Sequence, residues 1–177
     1  MKFYVDSLYI DKFRKLNELK NIQVGKKITV FSGHNGVGKS NLLSLICSSS
    51  GTNDKRLTSG NFQPEFSEYF KIDPRENVKD YRIHIKYKTE DSSLTKRVSF
   101  KDDTDTGRGI RTIPRTSVWP GSDTLVKDAE QEAKEKLQIG PSARVPIPTL
   151  FVSLSRIFPM GETDIETSEI KRNTKII

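Results

Sequence analysis

Apolar and polar residues alternate along several stretches of the chain and recur at helical spacing along others. Residues 3–10, FYVDSLYI, alternate and predict a strand. Phe13, Leu16, Leu19, Ile22 and Val24 follow, which predicts a strand, a short turn and a second strand ending at Gly25. KKITVFS, with Ile28, Val30 and Phe31, predicts a further apolar strand. Next, NLLSLICSS sets Leu42, Leu43, Leu45 and Ile46 at helical spacing and predicts a helix from about Ser40 to Ser48. SSSGTNDKRLTSGN reads as a loop, and QPEFSEYF as a short helix with Pro64 near its first turn and Phe66, Tyr69 and Phe70 on one face.

Farther along, DYRIHIKYKTE alternates cleanly. Tyr81, Ile83, Ile85 and Tyr87 fall on one side of a half-exposed antiparallel strand. LTKRVSF is its expected hairpin partner, with the turn near Glu90 to Ser93. KDDTDTGRGIRTIPRT is polar and reads as a loop. A charged helix is expected from Asp123 to Gln138, with Ser122 or Asp123 as N-cap and Gly140 as the stop. Its apolar stripe, Leu125, Ala129, Ala133 and Leu137, is thin, so the helix should pack peripherally. A buried strand is expected at 149–154, between prolines, and a polar tail after Gly161. No internal repeat is visible.

Length and composition bound this picture. A chain of 177 residues makes one domain or one lobe of a larger one. No run of 18 apolar residues occurs, so no membrane span is expected. The opening MKFYVDSLYIDKFRK is charged throughout and lacks an apolar signal core, and the lone Cys47 cannot form an internal disulfide. Both features fit a cytoplasmic location. Cys47 itself reads as a small packed apolar side chain. His34 and His84 are too few and too far apart for a zinc site. The net charge of +7 is compatible with a polyanionic partner, but the charges are spread along the chain rather than clustered.

One stretch carries chemistry. GHNGVGKS, Gly33 to Ser40, is G-x-x-x-x-G-K-S, a complete phosphate-binding loop signature between an expected strand and an expected helix. Glycines let the backbone approach a ligand, and successive N–H groups then make an anion-binding concavity. In that arrangement Gly33, His34, Asn35, Gly36, Val37, Gly38, Lys39, Ser40 and Asn41 surround the phosphates of ATP. Lys39 reaches the β- and γ-phosphates, and Ser40 is the ligand for Mg²⁺.

The segment LYIDKFRKLNELKNIQVGKKITVFSGHNGVGKSNLLSLI resembles the opening of the ATPase heads of the SMC/Rad50/RecF group, ABC-type members of the AAA family. Phe13-Arg14 closes a strand hairpin ahead of the loop, Asn35-Gly36 gives the N-G-x-G-K-S form, and Asn41 follows the serine. The resemblance is specific over residues 2–48 and weaker over PIPTLFVSLSRIFPMGE. It implies an α/β fold: an ABC-ATPase-like N-terminal lobe at residues 1–160, with a mixed sheet and an antiparallel β layer, and a polar tail at 161–177. It also implies Arg14 near the nucleotide, ATP and Mg²⁺ as cofactors, and DNA as a partner on family grounds alone. For Lys12 and Lys15 a solvated turn is the reading preferred.

Such heads carry an L-S-G-G signature, a Walker B strand ending in acids and a switch histidine, none of which is found. The segment 149–154 ends in Ser153-Leu154-Ser155, without an acid, and Ser155 and Arg156 stand where the family's Q-loop glutamine is expected. Glu90-Asp91 ends a strand that alternates too strictly for a buried Walker B strand. The expectation is therefore an ATP–Mg²⁺-binding half, with catalytic residues unassigned, that needs a C-terminal ATPase lobe or a full-length homologue to hydrolyse ATP. Two alternatives stay open. One is a non-catalytic remnant acting as an interaction module. The other is a small P-loop kinase or phosphotransferase, with Arg108, Arg111 and Arg115 as its substrate lid. A GTPase is disfavoured, since no D-x-x-G and N-K-x-D pair follows the loop.

Overall fold

The computed structural model describes residues 2–150 except 53, 56, 58–62, 64, 65, 71, 74, 107 and 108. The alternating stretches become strands. β1 (Tyr4–Phe13) and β2 (Leu16–Gln23) form a hairpin whose turn holds Arg14 at φ 54°. β3 (Arg82–Lys88) and β4 (Ser93–Asp103) form a second hairpin, and β5 (Gly109–Ser117) closes the sheet. The order is β2-β1-β3-β4-β5, and every neighbouring pair is antiparallel.

Three expectations about strands are corrected. The sheet is antiparallel rather than mixed; the parallel pairing among the described residues is an isolated bridge between Ser50 and Val145. Residues 28–31 form no strand, and Ile28 and Val30 are 81% and 80% exposed. A strand leading into such a loop is normally buried in a parallel sheet with neighbours on both sides, and the described residues provide none. The polar stretch read as a loop instead extends β4 to Asp103 and forms β5. Its character was hidden by Pro114, which pairs with Val98 on an edge strand, where a missing N–H faces away from the ladder.

One face of the sheet builds the core. Leu8, Ile10, Ile83, Ile85, Tyr87 and Val98 are at most 1% exposed, as the period-2 rule requires of alternate residues. α1 (Lys39–Ser49) lies against this face through the fully buried Leu45, and Ser50 just beyond it hydrogen-bonds Tyr87 Oη at 3.2 Å. α2 (Phe66–Tyr69) opens a cluster of rings in which Phe66, Phe70, Phe13, Tyr81 and Phe100 pack with centroids 4.8–5.9 Å apart. Lys96 also points into the core side, wholly buried. Its ammonium donates to Thr116 Oγ1 at 2.8 Å, Gly140 O at 3.0 Å and Pro141 O at 3.2 Å.

α3 (Val126–Leu137) packs through Ala133 and Leu137, while Leu125 is 67% exposed. Neither Ser122 nor Asp123 caps it: Leu125 occupies the N-cap, and Ser122 Oγ accepts the Thr124 N–H at 3.3 Å instead. The helix stops before Gly140. Gln138 turns left-handed at φ 56°, and the Ile139 N–H closes on Ala133 O at 3.1 Å. Thr149 and Leu150 are not in a strand; residues 151–154 of that expected strand and the tail at 161–177 lie outside the described residues.

Candidate functional site: the loop at Gly33–Ser40

Residues 33–38 leave the irregular segment, and Lys39 begins α1. Gly36 and Gly38 take φ 81° and 101°, the region where a side chain is strained. Gly38 is the N-cap of α1 and offers no side-chain cap; the first turn holds no acid. Leu42 N–H bonds Gly38 O at 3.0 Å, so the N–H groups of the turn before it point out of the helix end without intrahelical partners. The positive end of the helix dipole adds to them.

Lys39 folds into the loop it follows, donating from Nζ to Gly33 O at 2.7 Å and His34 O at 2.8 Å. His34, Asn35, Gly36, Val37 and Ser40 are exposed, and Gly38, Lys39 and Asn41 half-buried. The residues present fit a phosphate chain with its metal: oriented N–H groups, one cation on a flexible stem, and a serine hydroxyl at the helix start. Among the described residues no group of three or more His, Cys, Asp or Glu could hold a metal by itself.

The β1–β2 hairpin braces the loop. A Cβ built on Gly38 would lie 2.9 Å from Leu16 Cδ2, so the turn carrying Arg14 abuts the loop. Arg14 itself is engaged. Its Nε and Nη2 donate to Glu76 Oε2 and Oε1, both at 3.1 Å, and its guanidinium carbon lies 5.8 and 5.7 Å from the Phe13 and Phe70 ring centres. Tyr81 Oη donates to Glu76 Oε2 at 2.8 Å, and the Asp73 N–H to Oε1 at 3.2 Å. Burial pushes the Glu76 carboxyl up, but the bonds from Arg14 and Tyr81 outweigh it and hold the group below the ordinary range. Burial, then the Glu76 contact, pushes the Tyr81 hydroxyl up to about 12.

Glu76 and Leu16 were not singled out from the sequence. A carboxylate 62 positions from its arginine leaves no local signal. Leu16 looked like any other strand residue.

Other candidates fall elsewhere. Glu90 and Asp91 sit in the β3–β4 turn, and Lys12 pairs with Asp80 at 3.4 Å. Arg111 and Arg115 lie on β5 rather than on a lid, and Arg111 is tied to Asp103; Arg108 is outside the described residues. Two of the three arginines of the expected lid thus lie in the sheet. Cys47 is half-buried, and burial pushes its thiol up.

No helix of the described residues is long and apolar enough to cross a membrane. No match was found among the curated proteins or the solved structures. A family model does match, the AAA domain, over residues 7–176. That span takes in the loop, α1 and all of the sheet but the first three residues of β1, and it carries the nucleotide-binding, ATPase-like character of the family: the chain belongs to the AAA domain family.

Proposed function

We propose that the chain binds ATP–Mg²⁺ at Gly33–Ser40 as the nucleotide-binding half of an SMC/RecF-like ATPase, and that hydrolysis awaits a second lobe or a partner. The observation that carries this reading is the loop geometry: left-handed Gly38 opening an uncapped helix, with Lys39 Nζ turned into the loop. The loop N–H groups and Lys39 bind and orient the phosphates, and Ser40 supplies one oxygen to the metal. A bound Mg²⁺ would offset negative charge on the phosphates. The first turn of α1 holds no acid to position the attacking water. The exposed Ile28 and Val30 beside the loop support a missing neighbour: an added strand would cover them and could bring the carboxylates.

Phosphoryl transfer rests on positioning and charge stabilisation, so lacking half of the site costs many powers of ten in rate. Phosphate release by the purified chain should therefore match that of its Lys39→Ala variant. Turnover that depends on Lys39 in the chain alone would defeat the half-site reading.

A further inference from the structure

A cavity opens at the far end of α1. On one side it is lined by the residues that follow the helix, Gly51, Thr52 and Asp54, and on the other by Ile139, Arg144 and Pro146 after α3. Its volume of about 730 Å³ lies within the roughly 300–1,000 Å³ of small-molecule sites. α1 is 11 residues long, so at 1.5 Å per residue the cavity stands roughly 16 Å from the phosphate-binding loop at the other end.

Both walls are tied down. Ser50 and Val145 form a parallel bridge, and the Gly51 N–H donates to Val145 O at 3.1 Å. Val145 is fully buried, and Ile139 is buried beside it in the core. Lys96 holds the carbonyls of Gly140 and Pro141, and the Ala143 N–H closes a turn on Gly140 O at 3.1 Å. Walls fixed in advance spare a ligand the entropy of ordering them.

Two polar groups of the lining lack partners. Gln63 lines the cavity and is 4% exposed. Its Nε2 donates to Cys47 O, in the last turn of α1, at 2.7 Å. A carbonyl can only accept, so the amide cannot be turned round, and Oε1 is the end left over. Among the described residues Gln63 Oε1 and Thr52 Oγ1 are buried without a hydrogen bond. Buried acceptors in native proteins are nearly always satisfied, so these two mark the place of a missing donor. Gly51 makes room for the amide: a Cβ built there would lie 2.5 Å from Gln63 Cδ and Oε1. Charge completes the lining. Asp54 is exposed and Arg144 half-buried, and neither forms an ion pair among the described residues.

We propose that this cavity binds a short zwitterionic peptide. The peptide's carboxylate pairs with the planar fork of Arg144. Its N–H groups bond Gln63 Oε1 and Thr52 Oγ1, its ammonium faces Asp54, and Ile139 and Pro146 accept an apolar side chain. The balance of the lining favours this class. Gln63, Thr52 and Asp54 offer acceptors, so the ligand must be rich in donors, while one arginine calls for one anionic group. A phosphate chain fits less well, since it carries several charges and few donors and Asp54 repels it. The site is therefore distinct in chemistry as well as position from the loop at Gly33–Ser40.

The experiment titrates the whole chain with the dipeptide alanyl-leucine, followed by calorimetry and by saturation-transfer NMR on the dipeptide. The expected result is saturable binding that weakens at least fivefold when the dipeptide is N-acetylated or its carboxylate is amidated. Arg144→Gln should weaken binding of alanyl-leucine at least fivefold and abolish its advantage over the amidated form. Thr52→Val removes an unpartnered hydroxyl, so the free chain should melt no lower than wild type while binding at least threefold more weakly. A threonine with a merely structural role would not separate those two readouts. Lys39→Ala should leave dipeptide binding intact, so failure here and failure of the nucleotide reading are told apart. The proposal would be overturned by the absence of saturable binding, as for a cavity that holds water only, or by equal affinity for the three forms of the dipeptide. Undiminished binding by Arg144→Gln, or a Thr52→Val chain that loses stability but not affinity, would overturn it equally.

Discussion

Ser40 stands at the start of α1 with its hydroxyl exposed, one residue past the lysine that folds onto Gly33 O and His34 O. The two side chains have different tasks in the proposed complex. Lys39 is a point charge for phosphate oxygens whatever the metal, whereas a serine hydroxyl is useful chiefly as a metal ligand. Ser40→Ala is therefore expected to weaken ATP binding about tenfold with Mg²⁺ present and to have little effect in EDTA. Calorimetric titrations under the two conditions check this; the same loss in both would remove the metal role. At this scale the glycine turns and the start of the helix at Lys39 were legible in the sequence, because the residues that set them are local. Arg14 was legible only as a position. The sequence put it at the hairpin turn, but the Glu76 and Tyr81 that engage it come from a distant segment.

Among the elements, α1 is held to the sheet mainly by Leu45, which is fully buried, while Leu43 on the same helix is 43% exposed. Leu45→Ala leaves a cavity under the helix that presents the loop and should cost about 2–5 kcal/mol. Urea unfolding measures the cost, and a loss under 1 kcal/mol would show that the helix is anchored elsewhere. β4 is joined to the chain after α3 by Lys96. Burial lowers its amine to about 8, partly opposed by Glu130. The folded value lies below the ordinary 10.5, so the unfolded chain binds more protons between about pH 8 and 10.5, and this group adds stability as pH rises through that window. Lys96→Met should abolish that contribution. The melting-temperature gap between wild type and variant should change from pH 8 to 10 and stay constant from pH 6 to 7.5.

Elements whose pattern reports one buried face were readable: β1, β3 and the hairpin partner β4 lie close to where alternation puts them. β5 was not. Its outward Arg111, Ile113 and Arg115 and its core-side Thr112, Pro114 and Thr116 give little hydrophobic contrast, and pairing with β4 makes it a strand. The stretch at 28–31 failed in the opposite sense. Its residues suit a buried strand, but a strand needs neighbours, and sequence reports preference rather than partners.

The whole molecule has two unlike faces. One carries the core, α1 and the loop; the other carries the row Tyr9, His84, Arg97 and Arg115. Near the loop, Ile28, Val30 and Val37 stay 50–81% exposed, the apolar border at which the proposed second lobe would add. The central claim is that Gly33–Ser40 is a nucleotide site in this chain as it stands, before any partner joins. Titration with a fluorescent ATP analogue in Mg²⁺, wild type against Lys39→Ala, tests it most directly. The Lys39 ammonium bonds Gly33 O and His34 O of its own loop, so the variant should fold normally and bind at least tenfold more weakly. Equal affinity in the two proteins would contradict the account.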